Sequence, residues 1–335
     1  MPAASRPRPT IPAALRAQGL IEATFMRGPD GRTLAASLEE GGGYRMRFRR
    51  RHARRAPRQQ VPREQPPCEG AVINTGGGMA GGDSLRIRVT AEEATNVVLS
   101  TPAAERVYGS AGPDTTVDIA LRLAAGARLA WLPQETILFG GARLARRLEV
   151  DMVGSATLIL AEAAIFGRAA MGETLGKGLF ADRWRIRRDG CLMHAEQTRL
   201  DGPIAELLAR KAIGDGARAV ANAAMISPDA EDRIDAARAA LLGAGSECGV
   251  SAWKGMLLAR FAAQDPALLR ADLVRFLLVA MRGELPRLWA LGDDMATRRG
   301  PDAVEDMSAS MPECDDAVRR QNTVGREDKF ESDPA

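Results

Sequence analysis

Aromatic rings are scarce in this chain: four Trp, two Tyr and eight Phe make up 4% of its 335 residues. A stacking platform for single-stranded nucleic acid needs several exposed rings beside basic side chains, so no nucleic-acid partner is expected. Histidine is rarer still, with His52 and His194 only, which excludes a histidine-rich metal centre. The four cysteines, Cys68, Cys191, Cys248 and Cys314, lie far apart and form no C-x-x-C pair. Neither a disulfide scaffold nor a structural zinc site follows from them. No run of 18 residues is apolar and free of charge, and the first twenty residues lack the apolar core of a secretory signal. The expectation is a cytoplasmic protein with no membrane partner. A net charge of +3 adds little.

What is present is short-period apolar patterning. From 70 to 200, runs such as SLRIRVT (84–90), TVDIALRL (116–123), ATLILAE (156–162) and DRWRIRR (182–188) alternate with period two between Gly, Asp or Pro. These are strand signals, and no helical stretch among them is long enough for regular βαβ crossovers. Gly-Ala and Gly-Ser pairs before several runs suggest hairpin or coil-like turns, so the fold class is mainly β. After Gly202 the pattern becomes mixed. IAELLARKAI predicts a short helix, ARAVANAAMI a strand, and Ser227 followed by Pro228 a helix start. VSAWKGMLLARFAA predicts one strand, and a long helix begins at Pro266.

The predicted organisation is a flexible N-terminus over 1–20, one body over 21–293 that is β-rich to about 200, and a disordered acidic tail over 294–335. Residues 301–335 hold ten acids against four bases. Eight arginines between Arg45 and Arg58 without an acid read as a solvated face or as a surface for an anionic partner.

The stretch VINTGGGMAGGDSL carries five glycines between Gly76 and Gly82. Gly76, Gly78 and Gly81 match G-x-G-x-x-G, but a dinucleotide site needs a helix directly after the loop. Here Leu85, Ile87 and Val89 alternate with Arg86 and Arg88, which is strand periodicity. The P-loop lysine is missing as well, and GETLGKG (172–178) has the wrong spacing. The glycines therefore serve positive φ or close backbone approach, with Asp83 at the strand entry.

Four acids interrupt apolar surroundings: Asp83, Glu135 in WLPQETILF, Glu162 in LILAEAAIF, and Glu173 in AAMGETLG. A buried acid needs a partner or a metal. They are either salt-bridged structural groups, with Arg146 a partner for Glu135, or a carboxylate lining for a hard or borderline cation. No G-x-S-x-G, H-E-x-x-H or Ser/His/Asp set is found. Cys191 and His194 fall on opposite faces of a strand, so no catalytic pair is expected.

Taken in order, VINTGGGMAGGDSL, TPAAERVYGS, WLPQETILFGGARL, EAAIFGRAAMGE and RWRIRRDGCLMHAEQTRLDG resemble the urease accessory protein UreD family over about residues 20–290. The resemblance implies a helical coil of β-strands with a few α-helices in the C-terminal part. It also implies a non-enzymatic scaffold that binds urease apoprotein with UreF and the GTPase UreG while nickel is delivered. The family's signature falls on Gly76, Gly77, Gly78, Gly81, Gly82 and Asp83, on Thr101, Glu105 and Tyr108, and on Gln134 and Glu135. The family's internal polar passage gives Asp83, Glu135, Glu162 and Glu173 a common purpose, with nickel as transient cargo and no tightly bound cofactor. Where many members have Phe-Asp-Gly, this chain has Phe139-Gly140-Gly141. The alternatives are a β-rich metal-assisted hydrolase using Asp83 and Glu135, or a purely structural binding protein.

Overall fold

The computed structural model describes residues 16–49, 66–168 and 171–289. The start of the chain, the arginine run from Arg50 to Arg58 and the acidic stretch 294–335 lie outside the described residues.

The first part of the chain contributes β1 (Gln18–Arg27), β2 (Thr33–Gly41), β3 (Tyr44–Phe48), β4 (Cys68–Asn74), β5 (Ser84–Ala91), β6 (Asn96–Ser100) and β7 (Glu105–Val107). Then follow β8 (Thr115–Leu123), β9 (Arg128–Leu132), β10 (Thr136–Leu138), β11 (Arg143–Met152), β12 (Thr157–Phe166), β13 (Lys177–Arg188) and β14 (Cys191–Pro203). The mixed part holds α1 (Ile204–Ala209), β15 (Ala219–Ile226), α2 (Ile234–Ala240), β16 (Glu247–Trp253), β17 (Met256–Ala263) and α3 (Pro266–Ala280).

Two sheets carry these strands. The first runs β14-β13-β11-β8-β5-β1-β2 and the second β16-β17-β15-β12-β9-β6-β4-β3. Between β4 and β13 the chain passes back and forth from one sheet to the other. Each strand therefore lands parallel to the one a full turn earlier: β5, β8, β11 and β13 in the first sheet, β4, β6, β9 and β12 in the second. This is a coil of strands, as the resemblance implied, and hairpins are confined to its ends. A short third side is made by Met79 against Val107, β7 against β10, and β10 against β12, all parallel.

Side-chain alternation assigns the layers. Leu85, Ile87 and Val89 of β5 point into the space between the sheets while Arg86 and Arg88 face outward. β12 is buried along almost its whole length because both its faces are covered. Leu158, Leu160 and Phe166 enter the inter-sheet core with Ile119, Leu148 and Ile186. Ile159, Ala161 and Ala163 enter a second core with Leu273, Phe276 and Leu277 of α3. That helix begins as expected at Pro266, with the Asp265 carboxylate accepting from Ala267 N–H at 2.8 Å.

Three expectations change. Gln18–Leu20, expected to belong to a flexible N-terminus, are part of β1, and β1–β3 lie in a stretch where no individual strand runs were singled out. Ser227 does not cap a helix: its hydroxyl donates to Asp229 at 2.6 Å, and α2 starts only at Ile234 after a 3-10 turn over Glu231–Arg233. The single strand predicted around Trp253 is a hairpin. Lys254 and Gly255 have φ of 50° and 72°, the left-handed pair that a two-residue turn between twisted strands requires.

Candidate functional site

The glycine loop joins β4 in the second sheet to β5 in the first and forms the first corner of the third side. Its backbone is stitched to the next turn of the coil by Met79 N–H to Arg106 O at 2.7 Å and Tyr108 N–H to Met79 O at 2.8 Å. The coil turns press together here. A Cβ on Gly78 would meet the Tyr108 ring at 2.5 Å, and one on Gly81 would meet Ser110 Oγ at 2.0 Å. Gly77, Gly78 and Gly82 also have positive φ. The naked backbone serves coil stacking; Gly76 N–H is taken by Asn74 Oδ1 at 2.9 Å.

The four acids do not converge, and among the described residues no three His, Cys, Asp or Glu side chains are grouped to hold a metal ion. Asp83 is buried and accepts backbone N–H groups from Ala17 at 2.9 Å and Ala80 at 2.7 Å. Glu135 pairs with Arg270 of α3 at 2.6 Å, in place of the anticipated Arg146. Gln134 joins that contact, accepting from Arg270 at 2.8 Å and donating to Leu288 O at 3.1 Å. Glu173 accepts from Gly140 N–H at 2.7 Å and pairs with Arg168.

Glu162 has a different setting. Its side chain points from β12 into the inter-sheet layer, where it meets Arg146 of β11 and accepts from Trp131 Nε1 at 2.8 Å. Arg146 in turn grips Asp182 with two nitrogens, Nε at 3.0 Å and Nη2 at 2.8 Å. All three charged side chains are at most 5% exposed. Burial works against the arginine's charge, yet Asp182 and Glu162 hold its pKa above the ordinary value. Burial pushes the Glu162 carboxyl up, opposed by Arg146.

Register explains why these groups meet. In the first sheet Arg146 neighbours Asp182, and Asp182 neighbours Thr198. In the second, Glu162 neighbours Asn222, and Asn222 neighbours Arg260. Two polar rows thus run across the strands. The first ends at Thr198 and the second at Arg260, which reaches Glu196 of β14 with two bonds of 2.9 Å; Glu196 also lies 3.2 Å from His194 Nε2.

Two cavities meet this layer. One of about 210 Å³ is lined by Tyr44, Asn74, Glu105, Trp131, Arg146 and Glu162 among others. In it Glu105 accepts from Tyr44 OH at 3.1 Å and Asn74 Nδ2 at 2.9 Å, and burial pushes its carboxyl up. The other, about 430 Å³, is lined by Arg146, Glu162, Asp182, Glu196, Asn222 and Arg260 among others. Arg146 and Glu162 border both. Of the four acids singled out in the sequence only Glu162 lies in this layer; Arg146, Asp182, Glu196 and Arg260 were not read as site residues. For two of them the signal was available: Arg146 lies in phase with Leu144 and Leu148, and Asp182 with Phe180 and Trp184, all of them buried.

The sequence profile of the family described as UreD urease accessory protein matches residues 31–290. Urease accessory protein UreD from Rhodopseudomonas palustris strain HaA2 is 44% identical over 277 residues, covering 83% of this chain and 94% of its own. The protein of the same name from strain BisA53 is 46% identical over 280 residues, covering 83% and 92%. Urease accessory protein UreD 2 from Methylorubrum populi is 44% identical over 291 residues, covering 85% and 94%. With identity of this level over nearly all of the described coil, the chain belongs to the UreD family of urease accessory proteins.

Proposed function

We propose that this chain is a non-catalytic scaffold of urease maturation in the cytoplasm, holding urease apoprotein with UreF and UreG while nickel passes to the active site. Family membership over residues 31–290 is the observation that carries this. Nickel is cargo here, and cargo needs exchangeable oxygen ligands that release it again. Carboxylates of Glu105, Glu162 and Glu196 line the two cavities that adjoin the polar layer, while Asp182 anchors Arg146. We assign the route to these glutamates and keep Glu162 from the original four acids. Asp83, Glu135 and Glu173 are engaged by the glycine loop, by Arg270 and by Gly140, and we assign them to shaping the coil.

Deletion of the gene is expected to abolish nickel-dependent urease activity under nickel limitation, and the tagged chain is expected to bring down UreF and urease subunits. Intact activity in the deletion strain overturns the scaffold role. Glu162→Gln, present at wild-type amount, is expected to slow activation; a wild-type rate removes Glu162 from the route.

A further inference from the structure

Arg146 is the one cation among the described residues that borders both inter-sheet cavities. Its attachments are unequal. Two nitrogens bind Asp182, its register neighbour in the same sheet, while the single nitrogen Nη1 reaches across to Glu162 in the facing sheet. Glu162 has a second, independent hold in Trp131 Nε1.

We propose that Arg146 is a hinged plug between the two cavities, and that a cation crosses the layer by lifting the guanidinium off Glu162 while it stays on Asp182. This rests on the nickel-route reading above. A divalent cation competes for Glu162 with twice the charge of the guanidinium, so it can take the carboxylate oxygen that Nη1 releases. The Trp131 N–H keeps Glu162 in place as the arginine leaves. The bidentate grip on Asp182 keeps the arginine paired, so opening strands no buried charge. Neutral and anionic solutes gain nothing from Glu162 and leave the plug shut.

Removing Arg146 alone would leave two buried carboxylates unpaired and risk the fold. The double variant Arg146→Met/Asp182→Asn removes the plug and keeps the local charge at −1, since one carboxylate remains where two faced one guanidinium. In the purified accessory complex, nickel quenching of Trp131 fluorescence is read against a Trp131→Phe blank, beside the initial activation rate at limiting nickel. The double variant is expected to reach half-quenching at roughly tenfold lower nickel, the order of one charge-assisted hydrogen bond, and to activate urease faster. Arg146→Lys, which keeps the charge but cannot grip Asp182 as a fork, is expected to fall between; it serves if the double variant melts early. A folded double variant, or failing that a folded Arg146→Lys, with the wild-type quenching midpoint overturns the plug. If Glu162→Gln activates urease at the wild-type rate, the nickel route fails instead, and the quenching midpoint still decides whether Arg146 blocks the layer.

Discussion

The carboxylate of Glu173 fills the space beside the backbone of Gly140. It accepts the Gly140 N–H at 2.7 Å, and a Cβ at position 140 would lie 2.8 Å from the same oxygen. Arg168 pairs with the other oxygen and stacks 4.3 Å over the Phe139 ring.

Gly140→Asp alone should therefore force two carboxylates together and lower stability by about 1–3 kcal/mol, read from thermal melts. Combining it with Glu173→Gly should recover most of that loss. If the double variant is as unstable as the single one, the two positions do not share a space.

Arg270 ties α3 to the Leu-Pro-Gln-Glu turn. It binds Gln134 and Glu135 and lies 4.8 Å over the Trp289 ring, whose Nε1 donates to Leu132 O at 2.8 Å. Arg270→Met should cost about 2 kcal/mol and speed hydrogen exchange at residues 286–289, leaving exchange in β8 and β11 unchanged. Protection at 286–289 equal to wild type would reject the clamp.

Acid should loosen the end of the polar layer. Burial acts to raise the Glu196 pKa, but hydrogen bonds from His194 and Arg260 outweigh it and bring the value down to about 2 from an ordinary 4.5. A depressed acid stabilises the fold above its unfolded pKa, so this contribution is whole above pH 4.5 and is lost as pH falls towards 2. Arg260 is 61% exposed, and solvent screening limits the effect to about 1 kcal/mol. The stability gap between wild type and Arg260→Met should shrink across that window; a gap independent of pH would show that Glu196 is not the titrating group.

Much of the coil was legible because each strand in it buries one face, which prints period two directly into the sequence. In β3, Tyr44, Met46 and Phe48 alternate with arginines, so the strand phase is hidden inside a run of charge. The hairpin at Lys254-Gly255 lacks the usual Asn-Gly signal, so two strands read as one. Partners across sheets were beyond reach: nothing local says that Glu135 meets a residue 135 positions later, or that Arg146 meets Glu162 and Asp182. The charge of Arg146 and Asp182 on an inward phase was the legible clue, and it marks where the apolar layer gives way to a polar one.

The polar rows run at right angles to the chain's own direction within the sheets. Residues 146, 162, 182, 196, 222 and 260 each come from a different strand, in nearly as many passes of the chain. They span β11 to β17, so no fragment that stops short of β17 can assemble them, and contacts so distant in sequence form late in folding. A nascent chain on the ribosome thus has no assembled row until β17 has emerged, and whatever the row handles is met only by finished molecules.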